Sequence, residues 1–421
     1  MNLVIYNLLT LILLPAFGFR IIIKSISDKD YRSNFLQRFG YNLSPIVRTN
    51  KKVIWFHAVS LGEVIGSHGI INKLLKDFEV IITTTTPSGH RRAKEIFNDD
   101  IVINYMPWDF YPFINRFINF YKPQGILIFE TEIWPSMISC AYKKDIPLYL
   151  VNGRLSQKSY KAYSVFLWLV KKILRQVTFY FVQTENHMQR FLKLGVDRDK
   201  IKTVGSVKFD ISGLETKQIE SPPFILGGST HHGEEKLLLN AFNKFSKKKD
   251  LKLYLCPRHP ERADQIVKQA IDMGFETQLF STINSQSFDV CVIDSIGLLP
   301  SFYAASSMAF VGGSLVPRGG HNLIEPAALG SPIIVGPHTF NFEDIVNQFL
   351  QAQACIRVFD EDELLAAMEL FANDLNAAEQ YAFNAKEIVY KNKGSTDIQA
   401  SYIIKELGEK IEAYHCYYQA I

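Results

Sequence analysis

The sequence has few cysteines, and none of the five stands in a CxxC pair. They are scattered and odd in number, which excludes a small disulfide-stabilised framework and favours reduced thiols in a cytosolic compartment. Neither GxGxxG nor a P-loop pattern ending in GKS or GKT occurs, so nothing supports a dinucleotide fingerprint or a P-loop. The acidic pairs lie in charged, surface-like segments and His231 and His232 are adjacent, so we predict no metal site.

A strong excess of either charge is also lacking. The chain has 46 Lys and Arg against 42 Asp and Glu, a net charge of +4. This excess is too weak to indicate nucleic acid as a partner, but it suits an anionic substrate or a membrane surface. No low-complexity tract or internal repeat is evident, and 47% hydrophobic residues indicate a folded globular protein. Because 421 residues exceed one ordinary core, we predict two domains.

The first nineteen residues carry no charge, whereas Arg20 and Lys24 follow directly. As a helix rising about 1.5 Å per residue the segment reaches roughly 28 Å, barely a bilayer core. Basic residues after the apolar run are unlike a cleaved signal peptide, and they place the remainder in the cytoplasm if the segment spans. Pro15, Asn7 and Thr10 leave an interfacial helix or a buried terminal helix open. We predict a membrane anchor over residues 1–24.

Short apolar runs alternate with segments of helical spacing along the rest of the chain. The runs are continuously apolar, as is typical of parallel strands buried on both faces. A polar break at residues 210–223 ends in two prolines and separates two sets. The predicted strands are 53–58, 79–86, 101–107, 125–130, 147–153, 179–184 and 201–207, then 224–229, 251–258, 275–280, 288–294, 308–314, 332–337 and 354–359. This predicts an α/β fold of two doubly wound domains across a cleft, residues 25–215 and 222–407.

Acids, hydroxyls and glycines gather where the predicted strands of the first half end. In doubly wound sheets, ligands bind beyond these carboxyl ends. Glu63 follows the first strand in "HAVSLGE", and Glu130 ends the 125–130 strand two residues before Glu132. A carboxylate placed on a hydroxyl nucleophile is the minimum that an inverting glycosyl transfer requires. The alternatives are a helix-capping acid for Glu63 and a buried ion pair with Arg154 or Lys208 for Glu130.

The second half has the pattern of a nucleotide-phosphate domain. "GGSTHHGEE" over 227–235 follows a strand and opens a helix, where backbone N–H groups bind anions. Arg258 follows the next strand and suits a phosphate. In "GGSLVPRGGHNLIEPAALG", four glycines allow a close approach of the backbone to a nucleotide, and Glu325 suits ribose hydroxyls. Tight turns and a capped helix are the structural alternative for this run.

Eight sequence blocks together resemble the 3-deoxy-D-manno-octulosonic acid (Kdo) transferases of glycosyltransferase family 30. The blocks cover nearly the whole chain in family order: "SLGE", "TTTTPSG", "FETEIWP", "NGRLS", "GSVKFD", "GSTHHGEE", "PRHPER" and "GGHNLIEPAALGSPIIVGPHTFNF". The resemblance implies a GT-B fold, with the acceptor held by the first domain and the sugar nucleotide by the second. It implies CMP-Kdo as donor, with no further cofactor, and a lipid A precursor as acceptor at the cytoplasmic face of the inner membrane.

The resemblance also implies roles for individual residues. Glu63 matches the general base, and Glu130 and Lys208 match positions that support the transition state. The positions matching the CMP site are Pro257, Arg258, Ile296, Gly297, Leu298, Asn322, Leu323, Ile324 and Glu325. Direct displacement with inversion follows as the expected mechanism, in which the departing phosphate develops negative charge beside Arg258.

Two segments of the first half combine aromatic and basic residues. Residues 110–123 and 158–175 are aromatic and basic without any acid, which is typical either of helix packing or of contact with acyl chains and phosphates at a bilayer. Two rival functions share parts of the pattern: a sugar-nucleotide epimerase or UDP-sugar transferase, and a non-catalytic membrane-tethered binding protein. The acids at the strand ends argue against the second rival.

Overall fold

A computed structural model describes residues 3–46, 50–211, 216–245, 251–282 and 287–418. The chain forms two compact units. The first combines Met1–Asp210 with Lys393–Ile421, and the second is Ile211–Asn392. Each unit contains a parallel seven-stranded sheet with helices, so the predicted α/β class and its two doubly wound sheets are confirmed.

The sheet of the first unit has the strand order β3-β2-β1-β4-β5-β6-β7. Its strands are β1 (Lys52–His57), β2 (Phe78–Thr84), β3 (Val102–Tyr105), β4 (Gly125–Phe129), β5 (Leu148–Gly153), β6 (Phe179–Val182) and β7 (Ile201–Thr203). Its helices are α1 (Leu3–Ser27), α2 (Leu61–Leu74), α3 (Pro87–Phe97), α4 (Tyr111–Tyr121), α5 (Pro135–Lys143), α6 (Gln157–Val165), α7 (Leu167–Leu174), α8 (Glu185–Lys193) and α16 (Ser395–Tyr418).

The sheet of the second unit has the order β10-β11-β9-β8-β12-β13-β14. Its strands are β8 (Phe224–Thr230), β9 (Lys252–Pro257), β10 (Thr277–Leu279), β11 (Val290–Val292), β12 (Met308–Val311), β13 (Ile333–Val335) and β14 (Ile356–Arg357). Its helices are α9 (Glu234–Lys244), α10 (Ala263–Asp272), α11 (Leu299–Ala305), α12 (Ile324–Leu329), α13 (Glu343–Gln351), α14 (Glu361–Asn373) and α15 (Leu375–Asn392).

Continuously apolar strands are buried on both faces of the first sheet. Trp55 and Ile126 pack into a core on one face, while Phe56 and Leu127 pack into a core on the other. Because side chains alternate across a strand, a strand buried on both faces must be apolar at every position. The same pattern fills both faces of the second sheet.

The unit boundary differs from the predicted domain limits at the C-terminal end. We predicted a second domain over 222–407, whereas the second unit ends at Asn392 and α16 packs against α2 of the first unit. Ile403 and Leu407 fill the core that contains Phe56, so this helix is bound by apolar burial. Residues 212–215 of the predicted break, and the predicted limit at 215, lie outside the described residues.

The N-terminal helix α1 is longer than the predicted segment 1–24 and packs along the first unit. The Tyr6 hydroxyl donates to Asp109 Oδ2 at 2.8 Å, and Asn7 Oδ1 accepts from the Tyr111 amide at 2.7 Å. Further along, the Phe17 ring lies 6.3 Å from that of Trp108. Over Leu3–Ile26, α1 is long and apolar enough to cross a membrane by length and composition.

Candidate functional site

The first unit places Glu63 at the point where its strand order reverses. β1 pairs with β2 on one side and with β4 on the other, and this switch point is where doubly wound sheets bind ligands. The chain leaves β1 at His57 and enters α2, whose first turn carries Glu63. Gly66 brings the helix close to β4, since a Cβ there would lie 3.1 Å from the Phe129 ring.

The Glu63 carboxyl group is half-buried and held by two hydrogen bonds. Oε2 accepts from the Val59 amide at 2.9 Å, and Oε1 accepts from the Ser60 hydroxyl at 3.1 Å. Burial is the largest influence and raises the pKa of Glu63 to about 8, with the nearby Glu130 and Glu132 acting in the same direction. A carboxyl group titrating near neutral pH is a stronger proton acceptor than an exposed one.

Glu130 lies directly after β4, as predicted. Its amide donates to the Val151 carbonyl at 3.0 Å, and its φ of 61° lies in the left-handed region that side chains rarely adopt. Burial, followed by repulsion from Glu130, raises the pKa of Glu132 to about 7. The structure therefore brings together Glu63, Glu130 and Glu132, three acids from two neighbouring strand ends.

Lys208 lies on a single 3₁₀ turn, Val207–Phe209, after β7. The Ser206 hydroxyl caps that turn by accepting from the Lys208 amide at 3.4 Å. The turn contacts α2, the helix that carries Glu63, and the Val207 amide donates to Asn152 at the end of β5. The turn that carries Lys208 therefore lies at the same end of the sheet as the acids.

In the second unit, candidate residues follow three adjacent strands, β9, β8 and β12. Arg258 follows β9 and is exposed, and its amide donates to the Thr230 carbonyl of β8 at 2.9 Å. The carboxyl group of Glu325 lies on α12 beyond β12. Burial raises the pKa of Glu325, and the hydrogen bond from Asn322 and the charge of Arg258 act in the opposite direction. Arg258 and Glu325 thus lie at one edge of the sheet, as the sequence predicted.

Asn322 and Glu325 form a hydrogen-bonded pair. Asn322 Nδ2 donates to Glu325 Oε1 at 3.1 Å, while Asn322 Oδ1 accepts from the Ile324 amide at 3.1 Å. The asparagine therefore fixes the start of α12 and the direction of the acid together. Leu323 and Ile324, between them, are fully buried.

The remaining predicted CMP positions fall into two environments. Pro257 is buried at the end of β9. Ile296 is highly exposed and Gly297 adopts φ 87° on the loop between β11 and α11, whereas Leu298 packs against the core.

The glycine-rich loop after β12 binds an acid of the protein itself, which the sequence analysis missed. Glu234 is fully buried, and its carboxylate accepts from the amides of Gly313, Ser314 and Leu315 at 2.7–2.9 Å and from His231 at 2.8 Å. These N–H groups are therefore not available to a nucleotide phosphate. We predicted that backbone N–H groups in 227–235 bind an anion, and for the His231 amide that anion is Glu234 of the protein itself.

A histidine pair was also missed. His231 Nε2 and His321 Nε2 lie 2.9 Å apart, so one ring donates and the other accepts. Burial is the main reason that the pKa of His321 falls to about 4, with His231 and Arg258 contributing. The pair is therefore neutral at physiological pH and links the end of β8 to the loop after β12. Two histidines ninety positions apart gave no sequence signal for this contact.

Metal ligands do not converge in the part of the chain that the structure describes. No group of three or more His, Cys, Asp or Glu side chains there is placed to hold a metal ion. Four cysteines, Cys140, Cys256, Cys291 and Cys355, are buried and free, while the side chain of Cys416 lies outside the described part.

Comparisons with known proteins give a consistent result. Residues 33–211 match the family model described as 3-deoxy-D-manno-octulosonic-acid transferase (kdotransferase). A 3-deoxy-D-manno-octulosonic acid transferase of Haemophilus influenzae is 32% identical over 93% of this chain and 95% of its own. One of Rickettsia bellii is 28% identical over 95% and 99%.

Solved structures agree at the level of the fold. UDP-GlcNAc 2-epimerase from Neisseria meningitidis, bound to UDP-GlcNAc, superimposes with a TM-score of 0.56 over 84% of this chain and all of its own, at 15% identity. At that identity the likeness concerns architecture alone, and it supports the predicted GT-B arrangement of two Rossmann-like sheets. The family itself is shown by the sequence relatives: this chain belongs to the 3-deoxy-D-manno-octulosonic acid transferase family of glycosyltransferases.

Proposed function

We propose that the protein transfers Kdo from CMP-Kdo to a lipid A precursor, with inversion at the anomeric carbon, in lipopolysaccharide core biosynthesis. The observation that carries the proposal is the position of Glu63, a half-buried carboxyl group with a raised pKa at the switch point of the first sheet. Family membership supports the transferred sugar and the type of reaction.

The reaction requires one proton acceptor. The acceptor hydroxyl oxygen attacks the anomeric carbon of Kdo while the bond from that carbon to the phosphate oxygen of CMP breaks. The bonding electrons leave with the phosphate, and the hydroxyl proton passes to Glu63. The hydrogen bonds from Val59 and Ser60 orient the carboxyl group for this step.

Glu130 and Lys208 are proposed to stabilise the transition state. An oxocarbenium-like sugar develops positive charge, which a carboxylate such as Glu130 favours. Lys208 is a cation suited to the phosphate or to the carboxylate that Kdo carries beside its anomeric carbon. No divalent ion enters this scheme, because the leaving group is a phosphate monoester rather than a diphosphate.

The donor is proposed to bind the second unit at the carboxyl ends of β9, β8 and β12. Arg258 is exposed there and suits the CMP phosphate, while the half-buried Glu325, directed by Asn322, suits the ribose hydroxyls. The family resemblance also implies a role in CMP binding for Pro257, Ile296, Gly297, Leu298, Leu323 and Ile324, and this role stays a proposal.

The protein is proposed to work at the cytoplasmic face of the inner membrane. Because α1 packs along the first unit from Tyr6 to Phe17, we infer that it lies in the interface rather than crossing the bilayer. Around the junction of α6 and α7, four successive apolar residues are exposed: Val165, Phe166, Leu167 and Trp168. We call these four residues the α6–α7 patch.

A transfer assay tests the proposal. The full chain in detergent or vesicles is incubated with lipid A precursor and freshly generated CMP-Kdo, and the product is identified by mass and by the anomeric configuration in NMR spectra. We expect a Kdo-bearing lipid of inverted configuration, inhibited by CMP and not by UDP. Inhibition by UDP alone would favour the epimerase or UDP-sugar transferase, and binding without turnover would favour the non-catalytic binding protein.

A further inference from the structure

A second feature of the first unit is an open groove between α1 and the carboxyl end of the sheet. Its volume is about 640 Å³, within the range of ligand sites. Leu9, Leu13 and Phe17 of α1 line it on one side, and Trp108 and Trp134 line it on the other. The walls are therefore mainly apolar and suit a hydrocarbon chain.

A buried arginine borders this apolar groove. The Arg38 side chain lies on the 3₁₀ turn Phe35–Phe39 and is only 2% exposed. Its Nη2 donates to the Thr85 carbonyl at 3.3 Å, and its guanidinium carbon lies 4.3 Å from the centre of the Tyr105 ring. Its Nε–H is buried without a hydrogen-bond partner.

Arg38 has no carboxylate counter-ion among the described residues. Asp109 is the acid among the residues that line the groove, and its oxygens accept from the Tyr6 hydroxyl and from the amides of Ser136 and Met137 instead. Burying a guanidinium without a carboxylate is costly, and an anionic ligand in the groove would offset that cost. Arg20 and Lys24 also line the groove and add positive charge.

The groove is joined to Glu63 by a short series of hydrogen bonds. Arg38 binds the Thr85 carbonyl, the Thr85 amide donates to the Val59 carbonyl at 3.1 Å, and the Val59 amide donates to Glu63 Oε2 at 2.9 Å. A ligand anchored on Arg38 is therefore held in a defined relation to the proposed base. The ligand of the groove is therefore more consistent with the acceptor, whose hydroxyl must reach Glu63, than with a bulk phospholipid, which takes no part in the reaction.

We propose that this groove, the Arg38 groove, binds the acceptor through one acyl chain and one phosphate, and that Arg38 is a positioning residue. The Nε–H and the free Nη hydrogens of Arg38 donate to the phosphate, while Leu9, Leu13 and the two tryptophans contact the chain. This assignment rests on the proposed function, because it presumes a phosphorylated lipid acceptor.

The proposed binding of the acceptor phosphate by Arg38 is tested with two acceptors, one phosphorylated and one dephosphorylated, and with two arginine variants. Arg116 is the matched control: its guanidinium lies 3.7 Å from the centre of the Tyr41 ring and donates to the Phe39 carbonyl at 2.7 Å, yet it does not line the groove. We expect Arg38→Gln to raise the KM for the phosphorylated acceptor about 10- to 100-fold, and Arg116→Gln to leave it unchanged. With dephosphorylated acceptor, wild type and Arg38→Gln are expected to be equal.

If Arg38→Gln raised the KM equally for both acceptors, the role of Arg38 would be structural and the proposal would be overturned. An unchanged KM for CMP-Kdo and partial rescue by Arg38→Lys show that the variant folds. Failure of the wild-type chain to transfer Kdo to either acceptor would contradict the proposed function instead.

The proposed binding of the acyl chain is tested with a pair of leucine variants on α1. Leu13 lines the groove and Leu11 does not, although both are 49% exposed. We expect Leu13→Gln to raise the KM for the acylated acceptor several-fold but not for a deacylated one, and Leu11→Gln to change neither. Equal effects of both substitutions would contradict the chain-binding role. Competition by phosphatidylglycerol vesicles in wild type but not in Arg38→Gln would assign the groove to bulk phospholipid and overturn the choice of acceptor.

Discussion

The position of Glu63 suits both roles that the sequence offered as alternatives, a helix-capping acid and the proposed base. It occupies the first turn of α2, where acids stabilise a helix, and it accepts hydrogen bonds from Val59 and Ser60 as a capping residue does. Those same bonds fix the carboxyl group at the switch point of the sheet. Capping is therefore compatible with the proposed role as base, because the local contacts supply the orientation that a base requires.

The pH dependence of transfer follows from the burial of Glu63. Only the ionised carboxylate accepts a proton, so kcat/KM is expected to rise with pH and to level above about pH 8. Glu132→Gln removes a neighbouring negative charge that raises the pKa of Glu63. The rising part of the plot of kcat/KM against pH is therefore expected to move to lower pH in this variant. Because the three acids interact, the apparent pKa taken from the rising part of the pH–rate profile belongs to the cluster of acids and not to Glu63 alone.

Initial rates of Kdo transfer between pH 6 and 9 measure this effect. Glu95→Gln, an exposed acid paired with Arg92, serves as the control and leaves the profile in place. A profile that is flat over this range, or a rising part that moves to higher pH in Glu132→Gln, would contradict the pKa argument.

Glu234 is the acid whose replacement we expect to damage the fold most. Glu234→Gln turns one acceptor oxygen into a donor facing buried amides, and we expect a loss of roughly 2–4 kcal/mol in unfolding free energy. Urea denaturation measures the loss, and hydrogen exchange over residues 312–315 localises it. Glu379→Gln, an exposed acid on α15, is expected to change stability by less than about 0.5 kcal/mol. Unchanged exchange at the loop would refute the role assigned to Glu234.

At the scale of the elements, hydrophobic pattern alone predicted the strands. Each of the fourteen apolar runs contains a strand, because a strand buried on both faces leaves a signal at every position. The ends were predicted less well: the run 308–314 ends as a strand at Val311, where the chain turns to place amides on Glu234. Because Glu234 and Ser314 are eighty positions apart, no local sequence pattern predicts their contact.

The hydrophobic pattern also predicted where the candidate site residues lie in the fold, although their roles stay a prediction. Glu63, Glu130 and Arg258 stand at strand ends that the pattern locates, and Asn322 and Glu325 are three positions apart in one turn. Arg38 escaped attention because its environment is made by Thr85 and Tyr105, which are distant in sequence.

The α6–α7 patch makes a prediction about membrane binding. We expect Phe166→Ser with Trp168→Ser to reduce binding to anionic vesicles by about tenfold or more, since exposed aromatic side chains insert at the interface. Leu375→Ser with Tyr390→Ser, at exposed positions of the second unit, is the control and is expected to have no effect. Vesicle sedimentation measures both. Equal binding of the patch variant and the control would contradict the assignment.

For the whole molecule, the return of the chain to the first unit is a structural requirement. Asp210 accepts from the amides of Gly394 and Thr396 at the start of α16, and Gln399 accepts from the Asn152 amide at 2.8 Å. Ile403 then completes the core of the first unit. The fold of that unit therefore depends on residues that follow the second unit.

Truncation tests this dependence. A chain ending at Asn392 is expected to expose the core around Phe56 and to lose cooperative unfolding of the first unit, whereas a chain ending at Lys410 keeps it. Circular dichroism during urea denaturation compares the two. Similar unfolding midpoints for both truncated chains would contradict the role of α16.

The central claim concerns a single carboxyl group, and Glu63→Gln tests it most directly, because the amide keeps the shape of the side chain but accepts no proton. The measurement is the rate of Kdo transfer from CMP-Kdo to the lipid acceptor at saturating concentrations of both, alongside CMP binding to the same preparation. We predict a loss of about 10²- to 10⁴-fold in kcat with CMP affinity unchanged. Near-normal turnover by the variant, with CMP bound as in wild type, would contradict the account.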